Sequence, residues 1–345
     1  MKKSPLFGLV LSVTLVMPSQ AVHVLTTTGN TTPPVDNPGF ANIGQLNGAT
    51  AIYLGNRWVL TASHVGAGAV VLGGNTYANT GPVTQLQNPD NSFTDLILFQ
   101  INADPGLPSL VISPTAPVSG NDLVMIGNGA NRNAFRSNYT VAVVPGPGND
   151  TWTAVGGPGP GVKNLFLNAG GQAVRHGTNN VEFTNIDANA GFGQVRSFAT
   201  RFDDDPVARP FEAQGVTGDS GGAVFRKTGP SWELLGMIHA VGNINNYDNI
   251  PGFPSSSIIG ESTTFSADLS FYRSQILATI PEPGSAALGS LALLGLLRRR
   301  RARRQLSDDF PPAGRGGFWF VGVDRCCSVD FAAMVPRAPS PRAAE

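Results

Sequence analysis

The feature that most restricts this chain is its punctuation: short apolar runs, separated repeatedly by turns built from Gly, Asn and Pro. Thr50–Leu54 and Trp58–Thr61 flank Gly55-Asn56-Arg57, and Val70–Leu72 precedes Gly73-Gly74-Asn75. Asp122–Ile126 precedes Gly127-Asn128-Gly129 in the same way. Residues of this kind supply the backbone angles that tight hairpins need. Further strands are predicted at Leu96–Ile101, Tyr139–Val144, Thr151–Val155, Val181–Asn185, Ser197–Arg201, Ala223–Arg226 and Leu234–Ala240. Strands about ten residues apart with turns between them form barrels or sandwiches. Glycine (42) and proline (27) make up one in five of the 345 residues, which excludes a coiled coil or helical bundle. One segment breaks the pattern. Leu269, Tyr272, Arg273, Ile276 and Ile280 recur at three- and four-residue steps, predicting a single helix over Ser266–Ile280, with Ser266 as N-cap and Pro281 as its stop.

The charges cancel, 23 Lys+Arg against 23 Asp+Glu, but they are not evenly spread. Residues 1–21 hold Lys2 and Lys3 and no acid, a balance of +2. Residues 22–280 hold 11 basic and 17 acidic residues, a balance of −6, and residues 281–345 hold 10 and 6, a balance of +4. No basic stripe is offered to nucleic acid. Lys2 and Lys3 precede apolar Leu6–Met17 and then Pro18-Ser19-Gln20-Ala21, the layout of a signal peptide (1–21) cleaved after Ala21. At the other end, apolar Ala286–Leu297 is followed by Arg298–Arg301, Arg303 and Arg304. Positive charge after an apolar run reads as a stop-transfer element, with transient membrane contact through 286–297.

The order Pro281-Glu282-Pro283, apolar run, Arg cluster resembles the PEP-CTERM sorting signal of Gram-negative bacteria, over Pro281–Arg304. That resemblance implies an exosortase-type sorting enzyme as partner, removal of the tail, and a protein that is secreted or placed at the cell surface. Such signals end at the arginines, whereas this chain continues through 305–345, which reads as disordered: either a cytoplasmic extension or the product of a misplaced stop codon. Both cysteines, Cys326 and Cys327, lie in that tail, so residues 22–280 hold no disulfide.

Gly218-Asp219-Ser220-Gly221-Gly222 carries the most chemistry. A nucleophilic serine needs an exposed hydroxyl, a base, and N–H donors aimed at the developing oxyanion, and flanking glycines let the backbone turn tightly enough to supply them. The bases on offer are His23, His64, His176 and His239. His64 follows the apolar strand Trp58–Leu60, and Asp95 stands just ahead of the buried-looking run Leu96–Phe99. A carboxylate there needs a partner such as an imidazole N–H.

In the order His64, Asp95, Ser220, the segments Thr61-Ala62-Ser63-His64, Asp95-Leu96-Ile97-Leu98 and Gly218–Gly222 resemble the chymotrypsin-like serine proteases, across Ile43–Ile280. The resemblance implies an all-β fold: two six-stranded antiparallel β-barrels, about 43–130 and 131–265, followed by a C-terminal helix 266–280, after an irregular lead-in or propeptide 22–42. It implies peptide substrates, with Ser220 as nucleophile, His64 as base, Asp95 orienting it, and Gly218 and Ser220 N–H as the oxyanion hole. The specificity pocket is expected to rest on Gln214, with His239, Ala240, Val241 and Gly242 as one wall. Neither the acid expected for Lys/Arg selectivity nor the usual Ser-Trp-Gly wall is present. In animal members a new Ile-Val-Gly-Gly terminus reaches the Asp before the serine. No such start is visible near Asn42-Ile43-Gly44-Gln45, so Asp219 is expected to find another partner, and activation as in trypsinogen is not expected.

Other readings are weaker. Gly218–Gly222 also satisfies Gly-x-Ser-x-Gly, but an α/β-hydrolase needs an acid and then a histidine after the serine, and no aspartate separates Ser220 from His239. Asp203-Asp204-Asp205 reads as a solvated turn rather than a calcium loop. Pro145–Gly148 and Gly156–Gly161 lack the Lys and Ser/Thr of a phosphate loop. No metal or cofactor is expected, and a monomer is. His239 is either pocket-lining or a satisfied core histidine, and His176 is expected in a surface loop. The rivals to an endopeptidase are a non-catalytic surface or matrix binding protein and a serine esterase.

Overall fold

A computed structural model describes residues 22–26, 29–204, 207–253 and 255–280. The expected signal peptide, sorting signal and tail lie outside the described residues. Two antiparallel seven-stranded sheets dominate. The first runs, in spatial order, Asn75–Tyr77, Val70–Leu72, Ile43–Leu46, Ala49–Gly55, Trp58–Thr61, Phe93–Gln100 and Thr84–Gln87. The second runs Arg175–Asn180, Asp122–Gly127, Ala223–Thr228, Ser231–Asn243, Ser262–Asp268, Gln194–Arg201 and Phe183–Asn189. The all-β class with a C-terminal helix is thus present, but among the described residues the sheets are open and seven-stranded where closed six-stranded barrels were expected. The division at 130 also shifts: Asp122–Gly127 pairs with Arg175–Asn180 and Ala223–Thr228, in the second sheet.

Local sequence explains the turns. Asn56 (φ 49) and Arg57 (φ 68) take the left-handed pair of angles that suits a two-residue hairpin, as do Gly73 (φ 55) and Gly74 (φ 82). Strand Ala49–Gly55 is buried along its whole length, which fits its apolar composition.

The largest core cluster draws Ile52, Leu60 and Leu98 from the first sheet and Ile126, Phe225 and Met237 from the second, so one apolar interior joins both. The C-terminal helix closes it, burying Leu269, Tyr272 and Ile276. The helix begins later than its periodicity suggested, spanning Leu269–Thr279 with Asp268 as N-cap, because Ser266 is taken into strand Ser262–Asp268. Asp268 accepts from the N–H groups of Ser270 and Phe271, the usual satisfaction of a helix start. The helix holds both sheets: Gln275 exchanges two hydrogen bonds with the Gln87 backbone, and Tyr272 Oη accepts from Arg196 N–H and donates to Asn88. No described helix is long and apolar enough to cross a membrane.

The lead-in is not wholly irregular. His23–Val24 pairs with Ala213–Gln214, and Val22, His23 and Val24 are each no more than 1% exposed.

Candidate active site

Strand register builds the first half of the site. Thr61 pairs with Ile97, so two steps onward Ser63 stands opposite Asp95, and Ser63 N–H donates to the Asp95 carbonyl at 3.2 Å. Residues 32 positions apart in sequence thereby come together. Asp95 is 1% exposed, and its carboxylate has three donors. Oδ2 lies 2.7 Å from His64 Nδ1, while Oδ1 accepts from His64 N–H at 3.0 Å and from the Ser63 hydroxyl at 3.0 Å. Those bonds offset the cost of removing the charge from water. With Nδ1–H committed to the carboxylate, Nε2 is left as the accepting nitrogen. The contact of the Ser63 donor with Asp95 was not legible from sequence.

Glycine geometry builds the second half. Gly218 (φ 93) and Gly221 (φ 86) take angles that L side chains rarely adopt, and a Cβ on Gly221 would fall 2.0 Å from the Thr50 carbonyl. The first sheet grips this turn through Thr50, whose N–H donates to Ser220 O at 3.0 Å and whose hydroxyl donates to Gly218 O at 2.8 Å. No sequence signal marked Thr50, because the contact spans 168 positions. Ala130 N–H donates to Thr217 O at 2.7 Å. A trans peptide sets its C=O and N–H on opposite sides, so Gly218 N–H points away from that bond. Among the described residues, neither Gly218 N–H nor Ser220 N–H donates to a protein acceptor. Two uncommitted N–H groups beside the serine can hold a developing oxyanion.

His64 and Ser220 line one cavity of about 600 Å³, together with Gly218, Phe192, His239 and Val241. No hydrogen bond joins the Ser220 hydroxyl to His64, a pairing that commonly tightens only when substrate is bound. Phe192 stacks on the His64 ring with centroids 4.6 Å apart and planes at 26°, another contact sequence did not flag.

The expected specificity residues are also placed together. Ala240 and Val241 line the same cavity, and Val241 and Gly242 line a narrower adjoining pocket with buried Gln214. Gln214 Nε2 donates to Gly215 O at 3.0 Å, leaving Oε1 without a protein partner. His239 lines the cavity yet is 2% exposed, with Nε2 2.9 Å from Ser197 Oγ and Nδ1 buried without a hydrogen-bond partner among the described residues. Burial, assisted by the neighbouring His64 and opposed by Asp95, pushes its pKa down to about 4.

The other histidines stand apart. His23 is fully buried between Asn131 O and Ser257 Oγ, and burial lowers its pKa to about 3. His176 is a correction: it lies on strand Arg175–Asn180, half-buried and edge-on to Phe40 at 6.0 Å, not in a surface loop. Asp204 pairs with Arg136 at 2.8 Å on the surface, and no metal-ligating cluster occurs among the described residues.

Asp219 is wholly buried, cradled by Gly127 and Gly129, where added Cβ atoms would lie 2.1 and 2.5 Å from its carboxylate. Burial pushes its pKa up to about 7, against the N–H bonds of Val216, Gly129 and Val22 and the charge of Arg175. The partners expected for Asp219 are therefore identified, and one of them is the backbone N–H of Val22, directly after the expected cleavage point.

No known family profile matches the chain, and no curated protein matches it. Among solved structures it is similar to neuropsin, a serine protease expressed in the limbic system of mouse brain. The identity is 16% and the TM-score 0.41, over 68% of this chain and 89% of that one. It is also similar to an inactive-form serine-to-alanine mutant of Rv3671c from M. tuberculosis, at 15% identity and a TM-score of 0.37, over 75% and 100% of the two chains. At these values the likeness is distant.

Proposed function

We propose that this protein is an exported serine endopeptidase of chymotrypsin-like type. The observation that carries the reading is the convergence, on one cavity, of an Asp95-held imidazole, the Ser220 hydroxyl and two uncommitted N–H groups. In this mechanism Ser220 Oγ bonds to the substrate carbonyl carbon as its proton passes to His64 Nε2. Gly218 and Ser220 N–H groups hold the oxyanion, each such donor being worth roughly 3 kcal/mol. The C–N bond then breaks and His64 returns the proton to the leaving amine; water repeats the sequence on the acyl-enzyme. Asp95 keeps the imidazole oriented and supports its charged form.

The environment of Val22 supports processing after Ala21, and with it, against the expectation from sequence, a new N-terminus that reaches Asp219. Removal of residues 1–21 turns the Val22 N–H into an ammonium group at the buried Asp219 carboxylate, giving that anion a counter-charge next to Ser220. Export would then complete the site as it releases the protein, and the 281–304 segment would direct it to the surface.

Purified protein treated with a fluorophosphonate probe and mass-mapped tests the reading. Labelling at Ser220, lost in Ser220→Ala along with peptide hydrolysis, is expected. Ester turnover without peptide turnover would make it an esterase. Absence of label would leave a binding protein.

A further inference from the structure

We infer that Phe192 is a positioning residue for His64, holding the imidazole by its face as Asp95 holds it by its edge. The inference rests on the serine-hydrolase reading above and adds to it a residue that none of the three motifs contains. Phe192 sits at the tip of the hairpin joining strands Phe183–Asn189 and Gln194–Arg201, in the second sheet, whereas His64 follows a strand of the first. The contact is therefore made across the cleft. Its near-parallel geometry, 4.6 Å and 26°, is an offset stack. Phe192 remains 52% exposed and belongs to none of the core clusters, so core burial does not account for a phenylalanine there.

The tip is shaped to deliver that ring. Gly191 (φ 95) and Gly193 (φ 111) bracket Phe192 in conformations that other residues rarely adopt. A Cβ on Gly193 would lie 2.5 Å from Phe93 O, so glycine lets the tip lie against the chain just ahead of Asp95. Asn88 Nδ2 tethers it by donating to Gln194 O at 3.0 Å, and Asn88 is itself held by Tyr272 Oη at 2.9 Å. With Nδ1 held in plane by Asp95 and one ring face covered, Nε2 is the part of the imidazole left for the serine proton. When that proton arrives, the ring becomes a cation lying against an aromatic face, which attracts it. The proton leaves again on the amine, so the contact strengthens only while charge is present.

The test uses the processed protein beginning at Val22 with p-nitrophenyl acetate and a fluorophosphonate, comparing Phe192→Leu, Phe192→Ala and Phe192→Tyr. Leucine keeps apolar bulk without the aromatic face. It is expected to lower kcat and the fluorophosphonate reaction rate about fivefold, which is roughly 1 kcal/mol converted at 1.36 kcal/mol per tenfold. KM should move less than twofold, and tyrosine should restore the wild-type rate. Wild-type kcat in Phe192→Leu, or a change confined to KM, would overturn the inference while leaving the hydrolase intact. Wild-type protein inert to both reagents would overturn the hydrolase reading itself, and the inference with it.

Discussion

Asp95 holds His64 at two points: Oδ2 meets Nδ1 at 2.7 Å while Oδ1 accepts the backbone N–H of the same residue at 3.0 Å. Side chain and main chain are thus fixed by one carboxylate, itself 1% exposed. Asp95→Asn keeps the size but loses the charge and one acceptor, so the imidazole tautomer is no longer enforced. A kcat loss of about 10³- to 10⁴-fold with KM within a few-fold is expected in ester or peptide hydrolysis. Turnover equal to wild type would remove Asp95 from the mechanism.

Gly127→Ala should be far more costly than its chemistry suggests. The new Cβ would lie 2.1 Å from Asp219 Oδ1, so the buried carboxylate, and with it the serine turn, has to shift. A destabilisation of about 1–3 kcal/mol by urea denaturation is expected, with loss of fluorophosphonate labelling. Gly156→Ala, where nothing lies within 4 Å, serves as the control and should stay within about 0.5 kcal/mol. Equal behaviour of the two variants would contradict the cradle.

Acid should weaken the fold through His23 and His239. Each takes up a proton near 6.5 when unfolded, but only near 3 and 4 when folded. Between those limits the unfolded chain binds more protons, so stability rises with pH up to about 6.5 and is lost as pH falls. Asp219, with its pKa raised to about 7, acts in the opposite sense, one group against two. Melting temperature should therefore drop from pH 6.5 towards 4.5. His239→Gln should flatten the slope by about 1.36 kcal/mol per pH unit. An unchanged slope would mean that His239 is not buried in its neutral form.

Two versions of the protein, one beginning at Val22 and one carrying an extra residue ahead of it, should differ in a pH-dependent way. In the extended form the Val22 nitrogen is a neutral amide. Raising pH from about 4 through 7 then removes the Asp219 proton against burial, and stability is lost over that range. The Val22 ammonium adds a counter-charge to that of Arg175, so the gap in unfolding free energy between the versions should be wider at pH 7.5 than at pH 5. The Val22 form should also react faster with fluorophosphonate. A gap that does not change with pH would argue against an ion pair at Asp219.

Sequence by itself determined the all-β class, most of the strands and turns, the C-terminal helix, and the identity of His64, Asp95 and Ser220 as candidates. These are legible because they rest on short-range chemistry: alternating apolar runs, glycines at left-handed positions, and segments whose residues act as neighbours in the chain. Tertiary structure alone decided the rest. Whether the sheets close, that Asp122–Gly127 belongs to the second, and that Ser266 lies within a strand instead of capping a helix all depend on which strands compete for the same hydrogen bonds. The third donor to Asp95 from Ser63, the grip of Thr50 on the serine turn, the ring of Phe192 on His64 and the N–H of Val22 on Asp219 join positions far apart in sequence. Such contacts leave no local pattern, because register and packing, not neighbouring residues, bring their atoms within bonding distance.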